Sequence, residues 1–181
     1  MMTKTLAANG AKKIYVVGRR KEKLDEAVSL HPDIIVPLVA DVTSKSDLAK
    51  LAETVKKESG FVNLLICNSG MLGPNVPVVP GSVGLDEYAA KAFDVDMDEF
   101  TKTQETNVTA VLWTAYAFLA LLGKGNESGV LGGQVKSQII VTSSIAAYNK
   151  NPASGIACVV VFPLIRLAIC FPVTFSISHI P

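Results

Sequence analysis

The residues able to do chemistry in this 181-residue chain stand at the ends of short apolar runs. Ser143 and Ser144 follow Gln138-Ile139-Ile140-Val141-Thr142, and Asn68, Ser69 and Gly70 follow the run from Val62 to Cys67. Arg19 and Arg20 follow Lys13 to Gly18, while Asp41 and Val42 follow Asp33 to Ala40. These types offer hydroxyl and amide hydrogen bonds, a guanidinium for an anion and a carboxylate acceptor. Each has a plainer alternative. A serine pair at a strand end can simply satisfy backbone groups in the turn. Arg19 and Arg20 can be two solvated residues opening a helix, and Asp41 can be the turn former before a cap. Asn107 differs, because it lies inside an apolar helical stretch, where a side-chain amide is costly unless it is hydrogen-bonded. Cys67, Cys158 and Cys170 are far apart with no CxxC spacing, and only His31 and His179 could join them. Neither a disulfide scaffold nor a metal site is expected.

The elements that position these residues alternate in period. Residues 13 to 18 read as a buried parallel strand, and Arg20 to Leu30 as a helix with Leu24, Ala27 and Val28 at helical spacing. The run from 33 to 40 is a second apolar run, in which Pro37 either weakens the strand reading or places the strand near an edge. Ser44 three residues before Asp47 opens a capping box, with Leu48, Leu51, Ala52 and Val55 as one apolar stripe behind it. Val62 to Cys67 is a third strand. Residues 71 to 96, with Pro74, Pro77 and Pro80, read as a long loop carrying a short helix near Asp86-Glu87-Tyr88. Such loops often hold substrates. Residues 105 to 122 form a helix apolar on most sides, which the glycines after it are expected to break, and Gln138 to Thr142 is a fourth strand. This alternation predicts βαβ units, a parallel sheet and helices on both its faces.

The totals narrow the function classes. One domain suffices for this length. A net charge of +1 with acids and bases interleaved gives no footprint for nucleic acid or anionic lipid. No signal peptide is recognisable, so a cytoplasmic chain is expected. From Cys158 to Pro181 the sequence is almost wholly apolar, with three prolines and a lone charge at Arg166. That length approaches the roughly 20 residues of a membrane helix, but the internal arginine and prolines argue against one.

The order of these elements, with Val17-Gly18-Arg19-Arg20, Asp41-Val42, Asn68-Ser69-Gly70, Asn107 and Ser143-Ser144 at their joints, resembles the short-chain dehydrogenase/reductase family over about residues 1–157. The resemblance implies an α/β, Rossmann-like, doubly wound parallel sheet with ligands outside the carboxyl ends of its strands. It implies an NAD(P) cofactor and an alcohol or carbonyl substrate. NADP is expected over NAD, because Arg19 and Arg20 stand where NAD-preferring members usually place an acid. Asp41 and Val42 would flank the adenine. Asn68 would tie neighbouring strands, and Gly70 would let the backbone approach the ribose; the family more often has alanine in place of Ser69. Asn107 matches the asparagine that helps hold a proton-relay water, and Ser144, rather than Ser143, matches the catalytic serine. Members often pair through the helix at 105–122, so a homo-oligomer is among the expectations.

Two of the family's features are not found. The Thr-Gly-x-x-x-Gly-x-Gly loop and its strand have no counterpart; Met1 to Gly10 resembles the second half of the helix that follows that loop. The absent strand would lie centrally, between those at 13–18 and 62–67. The Tyr-x-x-x-Lys register falls on Cys158 and Phe162, and Tyr148 is too near Ser144 and is followed by Pro152. Strands beyond the catalytic helix are also unmatched. The expectations are therefore an incomplete Rossmann domain over 1–157, an unrelated apolar tail over 158–181, and impaired catalysis. The alternative is a non-catalytic binding protein that uses exposed sheet edges and the apolar tail.

Overall fold

The computed structural model describes residues 2–130 and 135–144, together with the backbone of residues 175–176. Helix α1 (Met2–Ala8) leads into β1 (Ile14–Gly18), α2 (Lys21–Val28), β2 (Ile35–Val39), α3 (Lys45–Glu58) and β3 (Leu64–Cys67). Helices α4 (Leu85–Phe93) and α5 (Met97–Gln104) follow, then a π-helical turn (Glu105–Thr109), α6 (Ala110–Glu127), β4 (Gln138–Val141) and β5 (Phe175–Ser176). Strands β1 and β2 form one parallel pair, and β3, β4 and β5 form a second parallel sheet in that order. The expected alternation of strand and helix is present, and Pro37 sits in β2, which among the described residues pairs with β1 alone. An edge strand tolerates proline because the side lacking the donor has no neighbour to serve.

Strand pleating decides what each face meets. Tyr15, Val17 and Leu38 point one way and pack with Leu48, Leu51 and Val55 of α3 and Phe118 and Leu121 of α6. On the opposite face, a Cβ at Gly18 would lie 3.6 Å from Leu24 Cδ2 of α2. Helices therefore cover both faces of this pair. In the second sheet Leu65 opposes Ile139 and Cys67 opposes Val141, and all four pack on Val111, Ala115 and Leu122 of α6. Because α6 contributes to both clusters, it joins the two sheets.

Helix α6 corrects one expectation. It is not broken at its glycines, since it continues through Gly123 and Gly125 to Glu127. It lies against the sheets on one side, where Val111, Ala115, Phe118 and Leu122 face the core, while Trp113, Tyr116 and Leu119 are exposed. The helical stretch Met97–Glu127 is long and apolar enough to cross a membrane by length and composition. Part of its apolar surface docks on the two sheets. Within the apolar tail, β5 pairs in parallel with β4, Ile139 opposite Phe175 and Ile140 opposite Ser176. Tyr148, Cys158, Phe162 and the rest of 145–174 lie outside the described residues.

Candidate functional site

The residues singled out by sequence gather in two groups at strand ends. The first joins β1 to β2. Ala40 N–H donates to Gly18 C=O at 3.1 Å, holding the two chain ends together just past the ladder. That contact brings the Arg19 guanidinium within 3.7 Å of the Asp41 carboxylate. Arg19 is 79% exposed, and Arg20 is an exposed, extended residue directly before α2 that makes no side-chain cap. Asp41 is also the turn former: its Oδ1 accepts from Thr43 N–H at 2.9 Å and from Thr43 Oγ1 at 2.7 Å. The turn-former reading of Asp41 therefore holds, with Oδ2 beside Arg19. Val42 packs against the core below α3 and α6, so its side chain faces inward.

Thr43 is the residue in this group that sequence reasoning passed over. Its backbone and hydroxyl hydrogen bonds, ahead of the nearby Arg19, hold the Asp41 carboxyl below the ordinary 3.8. A depressed carboxylate contributes stability that is present above its unfolded value and is lost as pH falls through its folded one. Replacing Thr43 by valine should therefore raise the Asp41 midpoint toward 3.8, as a carboxyl-carbon NMR titration would read; an unmoved midpoint would refute the assignment. The capping box is half formed. Ser44 Oγ accepts from Asp47 N–H at 3.2 Å, but the Asp47 carboxylate accepts from Asp41 N–H at 3.1 Å instead of reaching back to Ser44. The start of α3 is thereby tied to the site.

The second group joins β3, β4 and the helices. Thr142 Oγ1 donates to Asn68 Oδ1 at 2.8 Å, and Thr142 N–H donates to Cys67 C=O at 3.0 Å. Asn68 thus ties neighbouring strands as expected. Asn68, Ser69 and Gly70 are exposed beyond the sheet. Asn107 is 6% exposed, and its amide pairs with both backbone groups of one residue: Oδ1 accepts from Met71 N–H at 2.9 Å and Nδ2 donates to Met71 C=O at 2.8 Å. That pairing resolves the cost of burying an amide in an apolar helix. It falls in the π-helical turn, where one extra residue per turn redirects the side chain toward Met71. A Cβ on Gly70 would lie 3.3 Å from Asn107 Oδ1, so the glycine makes room for the clamp. Gly73 has a φ of +72°, and a Cβ there would meet Thr103 Oγ1 at 2.5 Å, so this turn requires glycine twice over.

The two serines separate by environment. Ser144 is exposed, whereas the Ser143 hydroxyl is buried with no hydrogen-bond partner among the described residues. Only Ser144 presents a hydroxyl that a ligand can reach. Cys67 at the end of β3 is no rival nucleophile, because burial pushes its thiol up to about 12 and keeps it protonated. Helix α6 contributes to the core clusters beneath both groups.

Comparison with known proteins bears on this arrangement. A family model described as short chain dehydrogenase matches residues 1–156. The chain is 38% identical over 165 residues to the short-chain dehydrogenase/reductase SAT3 of Stachybotrys chartarum, covering 84% of this chain and 60% of that protein. It is 38% identical over 160 residues to PhomF of Diaporthe leptostromiformis, a protein described in the same words, covering 87% and 53%. It therefore spans 53–60% of the length of these relatives. Among solved structures it superposes on the NADH-dependent reductase A1-R′, responsible for alginate metabolism, with a TM-score of 0.76 at 16% identity, over 98% of this chain and 69% of that one. At that identity the likeness concerns the fold.

Proposed function

This chain belongs to the short-chain dehydrogenase family, and from that premise we propose that it derives from an oxidoreductase preferring NADP, with its own catalytic step impaired. The observation that carries the cofactor reading is the Arg19 guanidinium, 79% exposed at the carboxyl end of β1. A planar fork of donors suits a phosphate dianion. Arg20, exposed one residue on, adds a second positive charge. The exposed Asn68-Ser69-Gly70 segment at the end of β3 offers amide and hydroxyl groups for the sugar. When bound, the cofactor supplies hydride to or from the carbonyl carbon of a small alcohol or carbonyl substrate. Ser144 would hold that substrate's oxygen by its hydroxyl, and Asn107 would fix the segment beginning at Met71 against the strand end.

Impairment is argued from the residues themselves. Proton transfer in this family rests on a tyrosine and a lysine four positions later, and that register here holds Cys158 and Phe162. Neither side chain can serve as a tyrosinate held near neutral pH by an ammonium group. General acid–base catalysis contributes about 10²- to 10⁴-fold, so turnover should fall by that order. A cytoplasmic location, and a site for small molecules, not nucleic acid, complete the proposal.

Titrating the purified chain with NADPH and with NADH, following nicotinamide fluorescence, tests it. NADPH should bind more tightly, and Arg19→Ala should remove most of that advantage, on the order of 10-fold for a charge-assisted pair. Equal affinities, or an advantage untouched by Arg19→Ala, would overturn the preference. Rapid turnover of simple carbonyls would overturn the impairment.

A further inference from the structure

The same carboxylate that stands beside Arg19 opposes the anion Arg19 would bind, and we propose that Asp41 is a specificity-determining residue that restrains the preference for a 2′-phosphate. The inference rests on the cofactor reading above and goes beyond it by assigning Asp41 a role against the phosphorylated ligand. Three observations carry it. Asp41 Oδ2 is the oxygen 3.7 Å from Arg19 Nη1, so a negative charge already stands beside one arm of that fork. Asp41 Oδ1 is anchored twice by Thr43, at 2.9 and 2.7 Å, so the carboxylate is not free to swing aside when an anion arrives. Ala40 N–H on Gly18 C=O holds the two strand ends together, so the backbones that carry the two charges stay adjacent.

A 2′-phosphate carrying nearly two negative charges must then share Arg19 with a fixed carboxylate a few ångströms away. A ligand with a bare 2′-hydroxyl meets no such repulsion and can itself donate to the carboxylate. The pair acts as a counterweight: Arg19 favours the phosphate, Asp41 limits how far, and the unphosphorylated ligand stays competitive. No other acidic side chain is paired with Arg19 among the described residues, so the effect should be assignable to this one.

The test uses the full chain and two probes that differ only at the 2′ position, adenosine 2′,5′-bisphosphate and adenosine 5′-monophosphate, titrated by calorimetry or amide NMR shifts. Both carry adenine, so any contact of Asp41 with the base cancels in the ratio of affinities. Asp41→Asn keeps an oxygen for Thr43 and should raise the ratio by about 3- to 10-fold, the scale of one screened charge at this distance. In an Arg19→Ala background the same substitution should change the ratio by less than about 2-fold, because the carboxylate acts through its competition for the guanidinium. An unchanged or lowered ratio in Asp41→Asn overturns the inference, as does an equal gain in both backgrounds. If Arg19→Ala alone leaves the ratio unmoved, the cofactor reading fails first, a distinct outcome from failure at Asp41.

Discussion

Replacing Asn107 by leucine is expected to destabilise the chain by about 2–4 kcal/mol, even though leucine suits an apolar helix better than asparagine does. The gain in helix propensity is a few tenths of a kcal/mol, well below the cost of what is lost. The amide spans the backbone N–H and C=O of Met71, at 2.9 and 2.8 Å, and these are contacts across 36 positions of sequence. Leucine would leave a part-buried N–H and C=O facing a methyl group. Each such orphan costs about 1–3 kcal/mol, partly relieved where water can reach it. The effect should also be local. Amide exchange at Met71 should accelerate far more than at Ile139 in the core, because the clamp holds the segment after β3 whereas the sheet core is held by α6. Asn107→Asp separates acceptor from donor: it can still take the Met71 N–H, but its second oxygen confronts the Met71 carbonyl, so at neutral pH it should recover less than half the loss. A leucine variant with unchanged denaturation midpoint and unchanged Met71 exchange would show that the clamp contributes nothing.

What could be read from sequence was what depends on neighbours a few residues away. The strand at Ile14–Gly18, the stripe of α3 and the edge position of the Pro37 strand follow from local period and from one missing donor. Asp41 as turn former was legible for the same reason, and Asp-x-Thr could have identified Thr43, since an aspartate accepting two positions on is a local pattern. Asn107 could be flagged as a buried amide needing partners. That its partner would be the backbone of Met71 could not be read, because a peptide group leaves no mark in the sequence. The Arg19–Asp41 pair is intermediate: both residues were singled out separately, but their meeting depends on β1 and β2 being adjacent and in register. The π-helical turn inserts one residue into the helical repeat, and without a partner to aim at there was no reason to place it at Asn107. The two residues of β5 sat in a run with no alternation and several prolines, where period carries no information.

The glycines of α6 test the same limit, and they should respond in opposite directions. Gly123 and Gly125 look alike in sequence, and both were expected to end the helix. A Cβ at Gly123 would have nothing within 4 Å, so Gly123→Ala should stabilise by about 0.4–1 kcal/mol through helix propensity and a less flexible unfolded chain. A Cβ at Gly125 would be driven into the Val62 carbonyl and the Ser137 hydroxyl. The first of these is backbone leading into β3. It cannot rotate away, and Val62 N–H is itself held by Leu121 C=O at 3.0 Å. Ser137 is equally fixed, fully buried, with its N–H on Asn126 Oδ1 at 2.6 Å. Gly125→Ala must therefore shift α6 away from the starts of β3 and β4, an overpacking cost of about 1–3 kcal/mol that exceeds the propensity gain. Since about 1 kcal/mol moves the midpoint of a domain this size by roughly 2–4 °C, the two variants should fall on opposite sides of the parent in one thermal scan. If both were stabilised, α6 would not approach the sheet as closely as described. If both were destabilised, the glycines would be serving the chain's conformation and not its packing. The expected split would show that Gly125 is where the helix carrying Asn107 is seated against the strands that end at Asn68 and Ser144, so a defect 18 residues from the clamp should also speed exchange at Met71, though less than Asn107→Leu does.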